Sequence, residues 1–169
     1  MQIRDPLLGQ IEAALDQPLD GNQFEAAMCS MLRHQGIYPT LVPVRGGNDA
    51  GMDGAIGDPA GGGPPIPLVC TTQENLKANL EKSLKSYLKN GGAAQRIVFA
   101  TSRKLTPPVR RKLEVTAGEL GFTVLNIYER AAVTTRAATT AIRHWRHMED
   151  RGRLLAGCKA RRAKLAWRG

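Results

Sequence analysis

Two carboxylates stand four residues apart in a glycine-rich stretch, Gly47-Asn48-Asp49-Ala50-Gly51-Met52-Asp53-Gly54. The second opens a short apolar run, Met52 to Ile56, that the pattern predicts as a strand. An acid at the head of a strand, just after a flexible turn, offers a rigid oxygen ligand to a hard cation such as magnesium. Asp and Asn beside Gly also shape turns without binding anything, so the spacing alone supports either reading. A third acid, Glu25, lies beside an apolar helical stripe upstream and can point along the core edge toward whatever that helix covers. A Glu in a first helical turn also answers to the helix dipole.

Other chemistry has less support. Counted from Asp49 as the first position of a calcium loop, the twelfth residue is Ala60, where an EF-hand needs a bidentate Glu. No Gly-x-Gly-x-x-Gly follows a strand and no Walker lysine motif occurs. Cys29, Cys70 and Cys158 are widely spaced, without a Cys-x-x-Cys pair, and read as buried or incidental thiols. His34, His144 and His147 lack the ligand spacing of a metal site, and no nucleophile has an identifiable base.

The elements that must position the acids follow from periodicity. Asp5-Pro6 starts a first helix that ends near Pro18. Asp20 and Gln23 resemble a capping box, after which Phe24, Ala27, Met28, Met31 and Leu32 form the stripe of a second helix stopping at Gln35-Gly36. Residues 37–44, 52–56 and 66–72 read as three strands of an antiparallel meander. Leu76, Leu80, Leu84, Tyr87 and Leu88 mark a helix over residues 73–89, with Lys82, Lys85 and Lys89 on a solvated face. Arg96 to Ala100 and Phe122 to Tyr128 read as buried strands around a helix introduced by Thr106-Pro107-Pro108, a βαβ unit with parallel strands. The expected architecture is an α/β sandwich around a mixed sheet.

The 169 residues carry a net charge of +9. Residues 1–129 hold 13 Lys/Arg against 13 Asp/Glu, and residues 130–169 hold 11 against 2, so the entire excess lies in the last 40 residues. We therefore divide the chain into an α/β domain, 1–130, and a basic helical extension, 131–169. Arg143, Arg146, Arg151, Arg153, Arg161, Arg162 and Lys164 in that extension point to a polyanion, most simply nucleic acid, although a solvated basic end is also common. Trp145 and Trp167 can dock the extension on the body or stack on bases. Ile142, Trp145 and Met148 also make an apolar stripe through which a homodimer can form. No run long enough to span a bilayer and no secretory leader is evident, which leads us to expect a soluble, cytoplasmic protein with no membrane partner.

Taken together, the order of elements and the Gly-Asn-Asp-Ala-Gly-Met-Asp-Gly turn resemble the restriction-endonuclease-like superfamily of PD-(D/E)xK nucleases, in its Mrr-type branch. Phe24-Glu25 resembles that branch's Phe-Glu, and residues 96–102 and 122–130 resemble its later strands. The likeness covers roughly residues 20–130. It implies a magnesium- or manganese-dependent DNA endonuclease, plausible in restriction or defence. Asp53 takes the place of the metal-binding acid and Glu25 that of the helix acid, with Asp49 assisting through water or directly. The chain departs from the pattern where the next strand should carry Gln/Glu-x-Lys: Val69 and Thr71 occupy those positions. Valine offers no oxygen ligand and threonine no positive charge. Gln73, on the same strand face by period, and Lys77, one turn into the next helix, are the candidate replacements. They are equally well read as ordinary first-turn helix residues, and the alternative function is a catalytically degenerate module that binds DNA or a protein.

Overall fold

The computed structural model describes residues 6–44, 50–58 and 61–140. Its elements run α1 (Pro6–Asp16), α2 (Gly21–His34), β1 (Leu41–Pro43), β2 (Gly54–Ile56), β3 (Ile66–Thr71), α3 (Leu76–Lys89), β4 (Arg96–Thr101), α4 (Pro107–Glu119) and β5 (Thr123–Tyr128). Residues 130–140 are also helical. The five strands form one sheet in sequence order. β1, β2 and β3 are an antiparallel meander, and β3, β4 and β5 run parallel. The chain is thus α/β, with a mixed sheet flanked by helices.

Each face of the sheet carries its own core. Phe24, Met28, Met31 and Leu32 of α2 meet Leu41, Ile56, Leu68, Cys70 and Val98 on one side. Leu80 and Leu84 of α3 and Leu113 and Ala117 of α4 meet Val69, Ile97 and Phe99 on the other. The alternation of Leu68 and Cys70 against Val69 follows from the two-residue period of a strand. β3 and β4 have helices over both faces, so their residues are buried almost throughout.

Local chemistry sets the helix ends. Asp20 Oδ1 accepts the Gln23 N–H at 2.9 Å, the capping contact expected from the sequence. α3 stops in a Schellman motif, with Gly91 N donating to Leu88 O and Gly92 N to Tyr87 O.

β5 differs from the buried strand expected. It is the edge of the sheet, and Thr123, Leu125 and Asn126 are exposed while Ile127 and Tyr128 are buried. Residues 131–140, placed by composition in the basic extension, pack on the α2 side through buried Val133 with Ala132 and Ala137, and Ala138 is buried as well. Gln35 Nε2 donates to Arg136 O at 2.7 Å and to Thr140 Oγ1 at 2.8 Å, fastening this segment to the end of α2. Arg130 donates from its two terminal nitrogens to Asp16 Oδ1 and Glu12 O, both at 2.5 Å, and so holds α1, which has no buried residue of its own. Among the described residues no helix is long and apolar enough to cross a membrane.

Candidate functional site

The turn before β2 is shaped by its fit against α3. Ala50 and Gly51 both have positive φ, 52° and 82°. A Cβ on Gly51 would lie 2.1 Å from Ser83 O of α3, so only glycine allows this approach. Met52 then packs into the α3/α4 core. Asp53 follows, with its N–H donating to Leu68 O at 2.9 Å and its carbonyl accepting from Val44 N at 3.1 Å. Its backbone is therefore tied to chain on both sides, and the side chain has a fixed origin.

The Asp53 carboxylate reaches β3: Oδ2 accepts the Cys70 N–H at 2.5 Å. Because β2 runs antiparallel to β3, the head of β2 lies beside the carboxyl end of β3. Open α/β sheets bind ligands at the carboxyl ends of their parallel strands, so Asp53 stands at the edge where a site is expected. A backbone donor on one carboxylate oxygen is also how ligating carboxylates are commonly oriented.

Glu25 approaches from α2. It is half-buried and lies one turn before Cys29, whose Sγ donates to Asp53 O at 3.8 Å. The two acids meet electrostatically at Cys70. Burial pushes the Cys70 thiol well above its usual range, and the charge of Asp53, then Cys29 and Glu25, pushes it further. Both acids thus act on one buried thiol, Asp53 through a direct hydrogen bond to the Cys70 N–H and Glu25 through its charge.

The strand positions behave differently. Val69 is fully buried in the α3/α4 core. Thr71 is also buried, and its Oγ1 accepts the Gln73 N–H at 3.1 Å, turning the chain so that β3 ends before Gln73. Gln73 and Lys77 are both exposed, and the Lys77 charge acts on Glu81, one turn further along α3. Asp49 and the basic residues Arg143, Arg146, Arg151, Arg153, Arg161, Arg162 and Lys164 lie outside the described residues. Among the described residues no group of three or more His, Cys, Asp or Glu side chains is arranged to share a metal ion.

Sequence reasoning passed over Arg103. It follows β4, and its Nε donates to Thr72 O at 3.0 Å while one terminal nitrogen lies 3.6 Å from Glu74 Oε1. The only sequence signal is a basic residue just past a strand end, which gains meaning once β3 and β4 are known to be neighbours.

Compared with known proteins, the chain matches no protein-family model and no curated protein at a significant level.

Proposed function

We propose that this chain is a metal-dependent DNA endonuclease on a restriction-endonuclease-like core of the Mrr type, acting in restriction or defence. The observation that carries the reading is the Asp53 carboxylate, just before β2, held on the Cys70 N–H near the carboxyl end of β3, with the charge of Glu25 on α2 acting on the same Cys70 thiol. Glu25 lies on α2 and Asp53 immediately precedes β2. Carboxylate oxygens are the donors magnesium prefers, and such an ion is held by one or two carboxylates with water completing its shell. The pair fits that cation. When bound, it would supply charge stabilisation at a scissile phosphate and a more acidic water. Asp53, fixed through its backbone and Cys70, would hold the ion as principal ligand, and Glu25 would be the second. The basic extension grips the phosphate backbone with little base specificity.

One observation favours a second reading. Val69 is sealed in a core and the Thr71 hydroxyl accepts the Gln73 N–H, so neither position offers a carboxylate, an amide or a positive charge. A catalytically degenerate module that binds DNA is consistent with this. Manganese titration followed by calorimetry separates the two. The endonuclease reading expects a binding event that Asp53→Asn or Glu25→Gln weakens at least tenfold while DNA affinity is kept. An identical titration in wild type and both variants, with DNA still bound, would leave the binding module.

A further inference from the structure

The end of β3 lacks a cation, and the neighbouring strand carries one. In the parallel β3/β4 pair, Thr71 lies opposite Thr101. The two strands end alike, for Thr71 Oγ1 accepts the Gln73 N–H at 3.1 Å and Thr101 Oγ1 accepts the Arg103 N–H at 3.2 Å. These twin turns bring residue 103 alongside residue 73. The Arg103 side chain then reaches the chain just past β3, with Nε donating to Thr72 O at 3.0 Å. Its guanidinium therefore lies one residue past Thr71, the position that the resemblance assigns to lysine. Thr72 is two residues beyond Cys70, whose N–H the Asp53 carboxylate holds. Asp53 and Arg103 are therefore both anchored on residues 70–72, at the carboxyl end of β3.

We infer that Arg103 binds a backbone phosphate of nucleic acid at the carboxyl edge of β3, in place of a strand lysine; this rests on the endonuclease reading. An arginine remains charged at any working pH, so it grips and neutralises the phosphate without serving as a base. Its planar fork suits two phosphate oxygens. The present partner of that fork is weak: Glu74 is 87% exposed and stands 3.6 Å away, and exposed pairs of this kind contribute little. Glu74 is a place-holder that an incoming phosphate displaces.

The test is salt-dependent binding of the full chain to a short labelled duplex, read by fluorescence anisotropy without divalent metal, with cleavage assayed in parallel with manganese. Arg103→Ala is expected to reduce the slope of log affinity against log salt by about 0.9, one phosphate's worth. Lys112→Ala, on the exposed face of α4, should leave the slope unchanged. Glu74→Gln, which leaves the Arg103 contact with Thr72 intact, should tighten binding several-fold, and only when Arg103 is present. The Glu74→Gln gain is read in a chain that keeps Arg103, so the test stands even if Arg103→Ala disturbs the fold. Wild-type slope in Arg103→Ala together with no gain from Glu74→Gln overturns the inference, and if wild type still cuts DNA, the endonuclease reading survives it. A lost phosphate contact in a protein that never cleaves would sink the endonuclease reading and keep Arg103 as a phosphate ligand. A wild-type chain that does not bind the duplex overturns both.

Discussion

At the scale of single residues, Asp53 has two separable tasks. Its carboxylate holds the Cys70 N–H at the end of β3, and in the proposed site it also holds the cation. Asparagine can still accept that N–H, so Asp53→Asn should keep stability within about 1 kcal/mol of wild type. Asp53→Ala strands a buried donor and should cost about 1–3 kcal/mol in urea unfolding. Both variants should lose metal-dependent activity, and only the alanine should lose stability. Cys70 offers a second check, through pH. Its folded pKa is raised, first by burial and then by Asp53, Cys29 and Glu25, so the native state keeps a proton that the unfolded chain releases near pH 8.5. The stability this contributes is complete below roughly pH 8.5 and declines as pH rises toward the folded value. Unfolding midpoints from pH 7 to 10 should fall in wild type and fall less in Cys70→Ala. The positions of Asp53 before β2 and of Glu25 on α2 were legible in the sequence because a glycine-rich turn precedes one and an apolar stripe flanks the other. Cys70 and Arg103 were not, since their roles arise from neighbours that only the sheet register supplies.

The elements explain why the site has a fixed geometry. The turn before β2 is pressed against α3 at Gly51, and Met52 is anchored in the core behind it. Gly51→Ala meets both a positive φ and the Ser83 carbonyl, and should cost about 3–5 kcal/mol or prevent folding, measured by thermal melting and soluble yield. On the other side of the molecule, α1 is held by Leu15 against the core and by Arg130, whose hydrogen bond keeps the Asp16 carboxyl below its ordinary range. A depressed carboxylate stabilises above its unfolded pKa of roughly 3.9 and loses that contribution as pH falls through the folded value. Amide exchange in α1, corrected for the intrinsic pH dependence, should accelerate below about pH 4 before exchange in α3 does, and Asp16→Asn should bring the acceleration to neutral pH. Most elements were readable because their periods are clean: α2 through its stripe, β4 through an unbroken apolar run. β5 misled because Val124, Leu125 and Ile127 look like a buried strand in one dimension. Whether a strand is covered on one face or two depends on what flanks it, and among the described residues no strand pairs with the outer edge of β5.

Over the whole molecule, charge and core divide at different places. The formal excess of positive charge begins at residue 130, yet Val133 and Ala138 belong to the packed body and Arg130 ties down α1. Composition alone could not place that boundary, because alanine and threonine serve equally in a docked helix and a solvated one. A chain ending at Glu129 removes Val133, Ala138 and the Arg130 clamp, and is expected to melt well below the full chain. A chain ending at Thr140 keeps them and sheds nine Lys/Arg against two acids. It should hold its melting temperature while its DNA affinity and salt slope both fall, by about 0.9 in slope for each phosphate contact removed. The central claim, that Asp53 and Glu25 form a working metal centre at the sheet edge, is tested most directly by cleavage of supercoiled plasmid with magnesium or manganese, wild type beside Asp53→Asn. The account predicts metal-dependent nicking by wild type and a loss of at least a hundredfold in Asp53→Asn with DNA binding retained. No nicking by wild type, under conditions where it demonstrably binds the plasmid, would contradict it.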